Sequence, residues 1–201
     1  QVGSWLVAEL DFNSGRPEFP AFPFPHVLTV SVHLLDSTVR ISTSVRPTSD
    51  AEVPVAFGWH PYFAPPGGDR QDWTVCKPFT HHLVLDERCV PTGEVERVPV
   101  EVDVLGDPSQ GGVVFDDLFD EVPVGTTAWI EGGQHRITLS YDEGYSYAVL
   151  FAPPDQPLVA IEPMTAPTDP LSGHFPITTA KPGESYSATY GIHITESGVS
   201  A

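Results

Sequence analysis

The sequence predicts an all-β fold, a large antiparallel β-sandwich, on three observations. Apolar and polar residues alternate with a period of two in several stretches, and 22 prolines and 17 glycines are spread between them. No stretch of ten or more residues keeps a helical period. The 201 residues are read as one domain, 1–201, long enough to bury a core.

Trp5 to Leu10 reads as the first strand. His26 to Leu34 and Val39 to Val45 alternate on either side of an Asp36-Ser37 turn, a hairpin whose strands should each bury one face, with His33 on the polar one. Val53 to Trp59, Trp73 to Cys76, His82 to Leu85, Val95 to Val100 and Trp129 to Glu131 are shorter pieces, separated by joints such as Pro65-Pro66-Gly67-Gly68 and Pro91-Thr92-Gly93. Gln134 to Tyr141 alternates, Asp142-Glu143-Gly144 turns, and Tyr145 to Phe151 returns, which reads as a second hairpin. Leu158 to Glu162 and Tyr186 to Ile194 complete the set, and no internal repeat is visible. Many short strands with turn signals between them make a sandwich.

Composition removes several functions. Nine basic against 27 acidic residues give a net charge of −18, which disfavours nucleic acid and anionic membrane as partners. Cys76 and Cys89 are too few for a disulfide framework and lack the spacing of a zinc site. His81 and His82 are adjacent, so a strand points them to opposite faces, and Asp69, Asp72, Asp169, His174 and His193 show no ligand spacing. No metal is therefore expected. None of the glycine pairs is followed by the lysine and hydroxyl of a phosphate loop, and no Gly-x-Ser-x-Gly elbow occurs. No apolar run approaches the ~20 residues of a membrane helix, and no charged-then-apolar leader opens the chain. The one methionine is Met164, so Gln1 is read as the start of a processed chain or of a piece of a longer one.

Two residues stand out chemically. His60 sits in Phe57-Gly58-Trp59-His60-Pro61-Tyr62-Phe63, an imidazole among aromatics whose backbone is held extended by Pro61. Glu162 ends the apolar run Leu158-Val159-Ala160-Ile161 and is likewise followed by a proline. Burial there would raise its carboxyl pKa and make it a proton acceptor near neutral pH. The plainer readings are a packed core histidine and a strand-end salt bridge. Asp116 and Asp117 lie between apolar flanks in Val113-Val114-Phe115-Asp116-Asp117-Leu118-Phe119, where a polar cleft and a solvated turn are both open.

Gly58-Trp59-His60-Pro61-Tyr62-Phe63 and Ile161-Glu162-Pro163-Met164-Thr165-Ala166-Pro167-Thr168-Asp169 resemble the two signature stretches of the aldose 1-epimerase (mutarotase) family. Pro91-Thr92-Gly93, Phe115 to Phe119 and Lys181-Pro182-Gly183-Glu184-Ser185 resemble weaker family segments in the expected order, and Phe22-Pro23-Phe24 through Val45 is similar to the family's central hairpin. The resemblance implies a galactose mutarotase-like supersandwich that interconverts the α- and β-anomers of a free sugar, without metal or nucleotide cofactor. Carried over by position, Glu162 is the general base on the anomeric hydroxyl and His60 the general acid on the ring oxygen. Asp116, with Asp117 as fallback, would bind sugar hydroxyls; Trp59 and Tyr62 are further expected sugar contacts, and together with Phe63 they form the stacking surface of a non-catalytic rival.

Family members usually carry further upstream strands with an arginine and a second histidine. Trp5 resembles the tryptophan just after that histidine, so the domain is expected to be N-terminally incomplete. The expected partner is a small sugar such as glucose or galactose, bound by a monomer or homodimer. The compartment is read as cytoplasmic, any targeting region preceding Gln1. The rivals are a hexose-6-phosphate 1-epimerase, a non-catalytic sugar-binding sandwich, and a glycoside hydrolase using Glu162 and Asp116. The seven arginines are scattered, which speaks against a phosphate pocket. His60, Asp116 and Glu162 are expected to converge on one cleft, imidazole and carboxylate facing each other across a gap about one sugar ring wide.

Overall fold

A computed structural model describes residues 3–196, so Gln1 lies outside the described residues. Their strands, in chain order, are β1 (Ser4–Phe12), β2 (His26–Leu35), β3 (Thr38–Pro47), β4 (Val53–Val55), β5 (Tyr62–Phe63), β6 (Thr74–Lys77), β7 (His81–Leu85) and β8 (Pro91–Arg97). They continue with β9 (Glu101–Val104), β10 (Phe115–Phe119), β11 (Thr127–Gly132), β12 (His135–Glu143), β13 (Tyr147–Ala152), β14 (Val159–Met164), β15 (Thr178–Ala180) and β16 (Tyr186–Glu196). The helical elements among the described residues are single 3-10 turns, as the scattered prolines imply. None of them is long and apolar enough to cross a membrane.

All the pairings are antiparallel, and they make two main sheets. One has eight strands in the order β1-β2-β3-β16-β12-β11-β6-β9, the other six in the order β5-β14-β13-β10-β7-β8, and β15 and β4 form a small pair beside them. Strand alternation decides what lies between the sheets. Ile137, Leu139 and Tyr141 of β12, Ala188 and Tyr190 of β16 and Ile130 of β11 meet Phe115, Leu150, Ala152, Val159 and Ile161 from the six-stranded sheet in one core. Burying each large aliphatic side chain there contributes about 1.5–3 kcal/mol. The all-β sandwich expected from the sequence is therefore the fold.

The Asp36-Ser37 hairpin joins β2 and β3 in the register the alternation implies, His26↔Pro47 through Leu35↔Thr38. Its burial differs from expectation. Leu28, Val30 and Val32 are only half-buried, because the second core cluster, built on Val45, Val53, Val55 and Ala180, reaches Leu28 and no further along β2.

The second expected hairpin does not exist. β12 pairs with β11 and β16, whereas β13 pairs with β10 and β14, so the Asp142-Glu143-Gly144 segment carries the chain from one sheet to the other. Both strands are apolar on one face because they face each other across the core, a pattern a hairpin would also produce. The register of β12 slips between Tyr141 and Glu143. Gly144 then takes φ +70°, and a Cβ there would lie 2.3 Å from the Ser187 carbonyl oxygen. The expected strand from Val53 to Trp59 also stops early, at Val55, and the residues to His60 are loop.

Candidate active site

β14 supplies the carboxylate. Val159 and Ile161 point into the core, so alternation sends Glu162 to the outer face of the six-stranded sheet, beside Val149 of β13. Neighbouring chain covers it there, leaving its side chain 11% exposed. Burial, with the Asp116 charge as second cause, pushes its pKa from the usual 4.5 up to about 7.

The loop before β5 supplies the imidazole. Gly58 bridges to Met164, the Trp59 amide donates to the Pro163 carbonyl at 3.0 Å, and the Phe57 amide donates to the Thr165 hydroxyl at 2.9 Å. The loop is thus stitched to the end of β14. Only glycine permits it: a Cβ on Gly58 would meet Met164 Cγ at 2.8 Å and the Pro163 oxygen at 3.0 Å. His60 emerges from that loop with Nε2 3.0 Å from Glu162 Oε1. The Tyr62 hydroxyl approaches the same nitrogen at 3.3 Å, and the Phe151 ring stands edge-on to the imidazole. The imidazole side chain stays 49% exposed.

β10 supplies a second acid. Asp116 shares the outer face with Phe151, its cross-strand partner, and accepts a bond from the Cys89 thiol at 3.6 Å. His60, Tyr62, Asp116 and Glu162 line one cavity of about 290 Å³, near the lower end of small-ligand pockets. Its apolar wall is Leu85, Leu118, Val149, Phe151 and Met164.

The site differs from the sequence reading in three places. His60 and Glu162 touch, where a ring-wide gap was expected, because the His60 loop is tied directly to β14. Asp117 borders the cavity, but alternation sends its carboxylate to the opposite face from Asp116, where His82 Nε2 lies 3.4 Å away. Trp59 is absent from the cavity lining. Its indole turns into the sandwich, donating to the Thr43 hydroxyl at 3.1 Å and packing against Tyr190. Alternation along an extended loop sends neighbouring side chains opposite ways, so His60 faces out and Trp59 in.

Cys89 and Thr168 also line the cavity and were not singled out from sequence. Cys89 gave no signal as an isolated thiol. Thr168 lies inside the second signature stretch, so its place was legible. Among the described residues, no group of three or more His, Cys, Asp or Glu is arranged to hold a metal ion.

A family model described as aldose 1-epimerase matches residues 7–193. No curated protein matches the sequence. Solved structures do. A galactose mutarotase-like protein from Clostridium acetobutylicum is 23% identical with a TM-score of 0.80, over 98% of this chain and 64% of that one. A galactose mutarotase related enzyme from Lactobacillus acidophilus is 15% identical with a TM-score of 0.78, over 98% of this chain and 70% of its own. An aldose epimerase homologue from C. elegans is 14% identical with a TM-score of 0.76, over 97% and 66%. The chain thus spans about two thirds of the length of the proteins it resembles.

Proposed function

The chain belongs to the aldose 1-epimerase family, and from that premise we propose that it interconverts the α- and β-anomers of a free aldose by general acid/base ring opening. The observation that carries this reading is the 3.0 Å contact between His60 and Glu162, a carboxylate of pKa about 7, in one cavity.

A base must be ionised yet hold a proton once it has one, which a pKa near the working pH allows. A sugar seated against Phe151 displaces the His60–Glu162 contact, bringing its anomeric hydroxyl to Glu162 and its ring oxygen to His60. Glu162 takes the proton from the anomeric hydroxyl, and the imidazolium of His60 gives one to the ring oxygen. The bond between the first carbon and the ring oxygen breaks while the carbonyl forms. Rotation about the first carbon-carbon bond turns the aldehyde over. His60 then removes the proton from the hydroxyl as it attacks the opposite face, and Glu162 returns its proton to the carbonyl oxygen. Each group ends as it began, so no net proton is consumed. Tyr62 steadies the imidazole, and Asp116 accepts bonds from ring hydroxyls.

Against a phosphorylated substrate, no lysine or arginine lines the cavity among the described residues. The test is polarimetry of freshly dissolved α-glucose and α-galactose with and without protein. Acceleration over buffer that disappears in Glu162→Gln supports the reading. Decay equal to buffer for every aldose overturns it, and release of reducing sugar from a disaccharide would replace it with glycoside hydrolysis.

A further inference from the structure

We infer that this cavity sorts sugars by charge, preferring an aldose that carries an ammonium group to a neutral one and rejecting phosphorylated or carboxylated sugars. The inference rests on the epimerase reading and names the substrate class within it.

The argument begins with the charges around the cavity. Its ionisable lining residues are His60, Tyr62, Cys89, Asp116, Asp117 and Glu162, with three carboxylates against a single imidazole. Two of the three carboxylates are already answered. Glu162 meets His60 at 3.0 Å, and Asp117 meets His82 at 3.4 Å with Lys77 near enough to act on its titration. Asp116 is different. Its hydrogen-bonding partner is the Cys89 thiol at 3.6 Å, and no salt bridge forms at it among the described residues. The nearest arginine in sequence to that thiol, Arg88, is committed to Asp86 at 3.1 Å and is largely exposed.

Asp116 is exposed at the cavity wall, and a carboxylate there without a cation of its own can receive one from the ligand. Hydroxyls satisfy it, but an ammonium group satisfies both its hydrogen bonds and its charge. The excess of acid over the whole chain, −18, adds a field that gathers cations and repels phosphate or carboxylate at the entrance.

The experiment compares kcat/KM for anomer exchange, and Kd by calorimetry, across glucose, 2-amino-2-deoxyglucose, 6-amino-6-deoxyglucose, N-acetylglucosamine and glucose 6-phosphate, at a pH where the amines are protonated. One of the two amino sugars should exceed glucose by about threefold to fivefold, the size of an ion pair at an exposed carboxylate. Glucose 6-phosphate should fall below glucose, and acetylation of the amine should remove its advantage. In Asp116→Asn the absolute values drop, and the ratio of amino sugar to glucose should fall to about one. Glucose equal to or better than both amino sugars overturns the inference, as does a preference that survives in Asp116→Asn. If no sugar is turned over but the Kd ranking holds, the epimerase reading fails while the charge selectivity stands. Absence of both binding and turnover overturns both.

Discussion

Nε2 of His60 lies 3.0 Å from Oε1 of Glu162, so the imidazole and the carboxylate meet at contact distance. Burial, with the Asp116 charge as second cause, raises the pKa of that carboxylate to about 7. On the proposed mechanism, the rate of anomer exchange should fall as pH drops below about 7, toward tenfold per unit, because the base is then protonated before substrate arrives. The check is kcat/KM by polarimetry from pH 5 to 8, with the buffer reaction subtracted. A flat profile through this range would assign the base elsewhere.

Glu162→Gln keeps the shape of the carboxylate and loses its ability to accept a proton. Exchange should fall by roughly 10²- to 10⁴-fold with sugar affinity largely retained. His60→Gln should cost a similar factor. Because acid and base act in one proton circuit, the double variant should be little worse than either single one. Multiplicative losses, measured by the same assay, would mean that the two act independently.

The same carboxylate makes stability depend on pH. Its folded pKa of about 7 stands above the ordinary 4.5, so between those values the folded protein holds a proton that the unfolded chain has released. Stability from this group is fully present below pH 4.5 and is lost as pH rises through about 7. The loss is on the order of 3 kcal/mol, at about 1.4 kcal/mol per pKa unit. Urea midpoints of wild type and Glu162→Gln should therefore diverge with rising pH, the glutamine variant being the more stable above 7. Parallel curves would show that His60 compensates the charge in full.

The residues explain what could be read in advance. His60 and Glu162 were legible because each stands beside a proline at the edge of apolar sequence, a local arrangement that carries over directly into the site. The strands were legible where alternation ran long, as in β2, β3 and β16. The identity of each strand's neighbour was not: β12 and β13 alternate like a hairpin, yet sheet membership depends on pairings with β11, β16, β10 and β14 that are distant in sequence. The same limit hid the contact between His60 and Glu162, which depends on Gly58 lying against Met164. β10 was ambiguous because acidic residues at its centre weaken the strand signal, although Phe115, Leu118 and Phe119 are buried.

Gly144 tests the crossing between sheets. In Gly144→Ala the new methyl would meet the Ser187 oxygen at 2.3 Å and Ala188 Cα at 2.8 Å, on a backbone already at φ +70°. Gly111, at φ +88° with nothing within 4 Å, isolates the backbone part of that cost. Gly111→Ala should cost about 1 kcal/mol and Gly144→Ala about 2–4 kcal/mol, the difference being overpacking. Equal losses in chemical denaturation would mean that the turn moves aside freely.

Trp59 separates packing from recognition. Its indole donates to Thr43, a buried hydroxyl on β3, and its ring lies against Tyr190 of β16, so it ties the loop that carries His60 to the eight-stranded sheet. Trp59→Phe keeps an aromatic ring and removes the donor, leaving the Thr43 oxygen without that bond. Stability should fall by about 1–3 kcal/mol, the cost of the lost hydrogen bond together with the lost ring volume. A stacking platform would behave otherwise: its loss would weaken sugar binding and leave the fold alone. In Trp59→Phe the KM for an accepted aldose should therefore stay within about twofold while the urea midpoint drops, and any change in kcat should follow from the looser placement of His60. A KM raised tenfold with unchanged stability would put Trp59 against the sugar after all.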